Sequence, residues 1–194
     1  MICREEELIA RLSEGSGRPT DRLNDMLDRG EIIELMHGVY ETDPTTPPFL
    51  IANHICEPSY ISFDYALHWH GIIGGTPRAI TSATHGNRTE FVDTPLGLFT
   101  FTEMPEESFD CGVGRHEHDG IGFMMANAEK AVCDKLYLMR PTTSFSELER
   151  IMFGELLFDD ERTMSLDCDR VREYADRFRS TTVDTFSDYL DSNR

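Results

Sequence analysis

The sequence predicts an α/β (α+β) chain: a small helix–helix–hairpin module, then a mixed α/β domain, then a helical C-terminal tail. Three observations predict it. Helical apolar stripes followed by a hairpin signal fill residues 1–42. The stretch Glu41-Thr42-Asp43-Pro44-Thr45-Thr46-Pro47-Pro48 closes that module, because its three prolines continue neither a helix nor a central strand. Beyond it, runs rich in Thr, Phe, Val and Ile alternate with helical patterns, and from Ser146 onward only helical patterns remain. The expected domains are therefore 1–42 and 48–194.

The elements follow in order. Leu8, Ile9 and Leu12 recur at helical spacing, with Ile2 extending the stripe, and Gly15-Ser16-Gly17 breaks the helix. Pro19 and Thr20 restart it, one fitting a first turn and the other able to cap free amides. Leu23, Met26 and Leu27 form the second stripe and Gly30 stops it. Ile32, Ile33 and Leu35 read as a strand, His37-Gly38 as a tight turn, Val39-Tyr40 as the returning strand. Helix, turn, helix, hairpin is the order of a winged helix with its wing, here carrying two helices instead of three.

After the prolines, residues 49–56 read as a helix. Ser62 is placed to cap a second helix with Ala66 and Leu67 inward and Gly71 as its stop. Residues 78–84, 89–93, 98–104 and 121–125 read as strands, with Asp93-Thr94-Pro95-Leu96-Gly97 as a turn. Asn127 caps a helix bearing Ala128, Ala131, Val132, Leu136 and Met139 on one face. The tail breaks near Phe158-Asp159-Asp160 and Ser180-Thr181-Thr182, and Asp167 caps the helix of Val171, Tyr174, Ala175 and Phe178.

Composition excludes several classes. With 39% hydrophobic residues in 194, a packed core is expected rather than disorder. No apolar run is long enough to span a bilayer, and the acidic start lacks a secretory h-region, so a soluble cytoplasmic protein without membrane contact is expected. Cys3, Cys56, Cys111, Cys133 and Cys168 are odd in number and contain no Cys-x-x-Cys, which argues for buried thiols rather than a disulfide framework or zinc ribbon. The net charge is -18, and Lys130 and Lys135 are the only lysines. Such a chain repels nucleic-acid phosphate at long range and suits a basic protein partner.

Few constellations carry chemistry. His116-Glu117-His118-Asp119, five residues after Cys111, has zinc-ligating types, but its polar, Gly-flanked setting reads as a surface loop. Cys111, His116 and His118 are thus weak metal candidates, and Cys111 beside His116 is at most a superficial nucleophile–base pair. His68 and His70 flank Trp69 on a helix and point apart, so His70 is expected to serve the helix end and Trp69 to pack. Gly71-Ile72-Ile73-Gly74-Gly75 lacks the Lys-Ser/Thr ending of a phosphate loop, and Asp159-Asp160-Glu161 reads as a solvated turn. No cofactor and no catalytic residue is expected.

A functional reading attaches to the N-terminal module. In a winged helix the second helix of the helix–turn–helix enters the major groove while the wing meets backbone. That helix would present Arg18, Thr20, Arg22, Asn24 and Arg29, with His37 on the wing. Arg can pair with guanine or phosphate, and Asn with adenine. Against this, residues 1–40 hold five arginines and nine carboxylates, among them Asp21, Asp25 and Asp28 on the same helix. A structural or dimerising winged helix is the competing reading.

Several stretches together resemble the AbiEi family, the antitoxins of type IV toxin–antitoxin systems. They are Arg29-Gly30-Glu31-Ile32-Ile33-Glu34-Leu35-Met36-His37-Gly38-Val39-Tyr40, then Pro58-Ser59-Tyr60-Ile61-Ser62-Phe63-Asp64-Tyr65-Ala66-Leu67 with His70-Gly71-Ile72. Ala128-Glu129-Lys130-Ala131-Val132-Cys133-Asp134-Lys135-Leu136-Tyr137 follows, and last Leu166-Asp167-Cys168-Asp169-Arg170-Val171 with Ala175-Asp176-Arg177-Phe178. The stretch 58–72 is the most specific and the helical tail the least. The resemblance implies a winged-helix N-terminus on an α/β antitoxin domain, repression of the protein's own promoter, and a cognate nucleotidyltransferase-like toxin as partner. A homodimer is compatible with it. Related antitoxins have been proposed to act as atypical kinases on the toxin; no kinase motif is found here. The expectation is an antitoxin and autorepressor. The alternatives are a protein-interaction module whose winged helix does not read DNA, and a toxin-modifying transferase or metal-dependent enzyme.

Overall fold

A computed structural model of the chain describes residues 2–14, 18–86 and 89–193. The break expected at Gly15-Ser16-Gly17 lies outside the described residues. The fold is mixed α/β with a helical C-terminal region.

The N-terminal part runs β1 (Ile2–Arg4), α1 (Glu5–Ser13), α2 (Pro19–Asp28), β2 (Ile33–Met36) and β3 (Val39–Glu41). Its strands form an antiparallel sheet in the order β1-β3-β2. Ile2 therefore belongs to a strand and does not extend the stripe of α1; its backbone pairs with Glu41. Pro19 opens α2 as expected, but Arg18 is the N-cap residue and Thr20 lies inside the helix. Gly30 ends α2 at φ +67, with the Gly30 amide donating to Leu27 and the Glu31 amide to Met26. These two bonds satisfy carbonyls that the helix end would leave open. Met36 and Val39 pair across the turn His37-Gly38, and Gly38 has φ +77.

Cys3, Leu8, Leu12, Leu23, Ile32 and Tyr40 make a small core of their own. Leu35 and Val39 instead belong to the main core, with Ile2, Ile33 and Met36 packed against it. The small sheet is thus covered by helices on one side and by the rest of the chain on the other.

The main sheet has six strands: β4 (Ser59–Ile61), β5 (Ala79–Thr84), β6 (Glu90–Thr94), β7 (Gly97–Glu103), β8 (Val113–His118) and β9 (Ile121–Ala126). Their order is β6-β7-β5-β4-β9-β8. The β5–β7 and β4–β9 pairs are parallel and the others antiparallel. All three residues of β4 are buried, so the sheet centre is covered on both faces. The covering helices are α3 (Pro48–Ile55), α4 (Phe63–Trp69) and α6 (Ala128–Tyr137); a short α5 (Glu106–Phe109) precedes β8.

The tail continues as α7 (Phe145–Glu149), a π-helical turn (Arg150–Glu155), α8 (Asp160–Met164), α9 (Cys168–Phe178) and α10 (Thr181–Ser192). Asp159, Asp167 and Asn127 cap α8, α9 and α6 through side-chain oxygens that accept helix amides. Asp159 is therefore a cap rather than merely part of a solvated turn. Met139 lies beyond the end of α6. Among the described residues no helix is long and apolar enough to cross a membrane.

Candidate functional site

The residues expected to read DNA all lie on the outer surface of the N-terminal part. Arg18, Thr20, Arg22, Asn24 and Arg29 are exposed on α2 or at its ends, and the His37 side chain is fully exposed at the hairpin tip. The helix does not assemble them into one basic surface. At 3.6 residues per turn Arg18, Arg22 and Arg29 fall on one stripe, Asp21, Asp25 and Asp28 on the next, and Thr20 and Asn24 beyond those. Arg22 is also committed locally: its Nη1 donates to the carbonyl of Leu12 at 2.8 Å, closing the end of α1. Arg29 lies 3.8 Å from Glu31, and His37 lies 4.0 Å from Glu34.

The segment from Cys111 to Asp119 is not a loop. Residues Val113–His118 form β8, paired with β9 from Val113↔Ala126 to His118↔Ile121. The signal was the dipeptide Asp119-Gly120, which turns the hairpin with both residues at positive φ. His116 and His118 share one face of the strand and are spent on aromatic contacts. His116 stacks on Phe123 with centroids 5.5 Å apart, and His118 meets Phe49 edge-on at 5.4 Å. Cys111 is buried, and its Sγ donates to the carbonyl of Ser108. Burial raises its thiol pKa, and the charges acting on it are Lys130, Asp134 and Arg177. Cys111, His116 and His118 are not gathered into a metal-like cluster, and no group of three such side chains is present among the described residues.

Around α4, His70 is the C-cap residue as expected, its amide donating to the carbonyl of Ala66, while its ring Nε2 contacts the carbonyl of Ala126 on β9 at 2.8 Å. Trp69 is 46% exposed and meets Phe49 and Phe123 in edge-to-face contacts. Ser62 precedes α4 but makes no cap bond. Its hydroxyl is taken by Asp134 on α6.

That contact belongs to the most polar place in the core. Lys130 and Asp134, four apart on α6, are both fully buried and form an ion pair. Asp134 also accepts from Tyr60 Oη at 3.1 Å and from Ser62 Oγ at 2.6 Å. The Lys130 ammonium lies 4.4 Å from the ring centroid of Phe178 and 5.3 Å from that of Tyr60. Burial raises the Asp134 pKa, opposed by the Lys130 ammonium and the hydroxyl donors. Burial, and then the Asp134 charge, hold the Tyr60 phenol well above its ordinary value, so it stays a donor. Asn127 fastens the helix start: its Oδ1 accepts the Lys130 amide while its Nδ2 donates to Tyr174 Oη. Charges are rarely buried unless paired, and each charge here has its partner. The sequence signal was that both lysines of the chain, Lys130 and Lys135, fall in this one helix, which is buried over most of its surface.

Tyr60, although buried, also borders a surface cleft. Its ring forms part of a cleft of about 600 Å³, with Phe109, Met124 and Val113 as apolar walls and Glu57 and Asp110 as carboxylates. The cleft exists because β4 and β9 meet only at Ile61↔Met125 and then part. Asn53 spans the gap, its Nδ2 donating to the carbonyl of Ser59 and its Oδ1 accepting from the amide of Met124. No family model and no curated protein matches this chain.

Proposed function

We propose that this protein is a regulator that works by binding macromolecules: an antitoxin and transcriptional autorepressor of the AbiEi type, acting in the cytoplasm. One observation carries the reading. The two stretches that most resemble that family, 58–72 and 128–137, converge on one buried network through Tyr60, Ser62, Lys130 and Asp134. Residues that define a fold's specific packing would be expected to meet in this way. The network is closed to solvent, so it supports a scaffold for surface contacts rather than a reactive centre. Promoter contact would use the Arg18, Arg22 and Arg29 stripe and His37, and the toxin would be a nucleotidyltransferase-like protein encoded alongside.

A second reading is favoured by the aspartate stripe of α2. Asp21, Asp25 and Asp28 lie beside the arginines on the exposed side, which favours a winged helix that contacts protein rather than DNA. One experiment separates the two. The protein is co-expressed with its neighbouring gene and tested by gel shift on its own upstream DNA at several salt concentrations. Co-purification of the neighbour with a sequence-specific shift weakened by Arg29→Ala is the expected result. Co-purification without any shift leaves the protein-contact reading, and neither result overturns both.

A further inference from the structure

We propose that the outer edge of β8 is a self-pairing surface, on which a second copy of this chain docks antiparallel about a two-fold axis at His116. The proposal goes beyond the reading above and holds whether the protein binds DNA or another protein. β8 ends the six-stranded sheet, and among the described residues no strand pairs with its outer side. At the opposite end of the sheet, β6 lies against β2 of the small sheet. β8 keeps unbroken register with β9 over its whole length, without bulge or proline, so its backbone does not turn the edge away. The free groups on that edge follow from the turn. Asp119 and Gly120 both have positive φ, which makes a two-residue turn closing on a hydrogen-bonded pair, His118 with Ile121. Such pairs alternate along an antiparallel ladder, so Gly114 and His116 also spend their amides and carbonyls on β9. The amides and carbonyls of Val113, Arg115 and Glu117 point outward instead.

Charge selects both the occupant and the register. Arg115 and Glu117 are exposed on one face of β8, and among the described residues neither forms an ion pair. An edge that must stay single carries charges that repel a copy of itself. Here the two charges differ in sign. An antiparallel copy must set outward-pointing residue against outward-pointing residue. Centring the pair on Arg115 opposes Arg115 to its own copy, and centring it on Glu117 opposes Glu117 to its own copy; both put like charges face to face. Centring it on His116 sets Arg115 against Glu117 of the second copy and Glu117 against its Arg115, and each of these pairs exchanges backbone hydrogen bonds. Gly114 then stands opposite His118 and, having no side chain, leaves room for its ring. In the single chain the Arg115 guanidinium lies over Gly122 of β9, an exposed position from which its flexible side chain turns to the new strand. A uniformly basic strand would oppose Arg115 and a uniformly acidic one Glu117. A strand that satisfies both carries the two charges in the opposite order, and an antiparallel copy of β8 does so. The net charge of -18 opposes association at long range, but at roughly 0.15 M salt it is screened beyond about 8 Å while directly opposed pairs still act.

The full chain is followed by sedimentation velocity from micromolar concentration to roughly 1 mM, at neutral pH and roughly 0.15 M salt. A concentration-dependent equilibrium of monomer and dimer is expected. Arg115→Glu alone and Glu117→Arg alone should each weaken the dimer about tenfold or more, because both opposed pairs become like-charged. An equimolar mixture of those two variants should recover it as a mixed dimer, and Arg115→Glu/Glu117→Arg in one chain should recover it as a homodimer. Amide hydrogen exchange on the unaltered chain gives a second reading. The outward amides of Arg115 and Glu117 should gain protection as concentration rises, while those of Gly114 and His116, bonded to β9, are protected throughout. A chain monomeric at every concentration, a dimer indifferent to the charge variants, or a dimer whose Arg115 and Glu117 amides exchange freely would overturn the proposal. Protection of those amides only on addition of the neighbouring gene's product would also overturn it and assign the edge to that protein. Exchange on the unaltered chain decides the matter even where a variant folds poorly. A sequence-specific gel shift by a chain that stays monomeric sinks only the self-pairing; a dimer without any shift sinks only the DNA reading.

Discussion

Single side chains set the largest local energies in this molecule. Lys130 and Asp134 share no solvent, so removing either leaves the other buried without its counter-charge. Lys130→Met or Asp134→Asn alone should each cost about 3–5 kcal/mol of stability. The double variant should cost clearly less than the two together, because no bare charge remains. Urea denaturation of the four proteins measures this; additive losses would mean that the pair is not coupled. Asp184 on α10, an exposed residue, gives a pH effect whose sign follows from the groups around it. Burial, then the nearby Asp188 and Asp176, raise its folded pKa above 3.8. Between 3.8 and that raised value the folded state holds more protons than the unfolded one, so stability falls as pH rises through the window. Asp184→Asn should therefore stabilise the protein at neutral pH, and the gain should vanish near about pH 3. A gain that is the same at both pH values would refute this.

At the scale of elements, the join between β8 and α6 is tightly packed. Gly112 sits at φ +66 just before β8, and its carbonyl accepts the amide of Asn127 at the start of α6. A Cβ there would come within 2.7 Å of the Lys130 Cβ and 2.8 Å of the Tyr174 ring. Gly112→Ala should destabilise by about 2–4 kcal/mol, combining strained backbone with overpacking. Gly120→Ala, in the β8–β9 turn with open space around it, should cost only the strain of its φ of +79. Thermal melts of the two variants compare them directly; equal losses would show that packing at Gly112 is not tight. Element by element, the N-terminal helices and hairpin, α3, β5, β7, β9, α6 and the tail breaks were legible from period and caps. β1, β4 and α5 were not. Each has three or four residues, too few for a period, and β1 and β4 are held only by neighbours distant in sequence. β8 escaped because its residues are polar and its outer edge is unpaired, although Asp119-Gly120 marked the turn.

For the molecule as a whole, charge is the dominant fact. Thirty-six carboxylates against eighteen lysines and arginines make the folded chain repel itself. Raising sodium chloride from roughly 0.05 M to roughly 1 M shortens the screening length and should raise the melting temperature. A melting temperature that falls instead would show that ion pairs such as those of Arg140 and Arg150 with Glu147 and Glu155 outweigh the repulsion. The sequence by itself determined the α/β class, most helix ends and the acidity, because caps, periodicity and charge are local or additive. Only the tertiary structure decided that the module's sheet is buried on both sides, that Arg22 is spent on the end of α1, and that the histidines of β8 stand apart from Cys111. It also decided where Tyr60, Ser62, Lys130 and Asp134 meet. Those outcomes depend on which distant segments pack together, and no spacing along one chain carries that information.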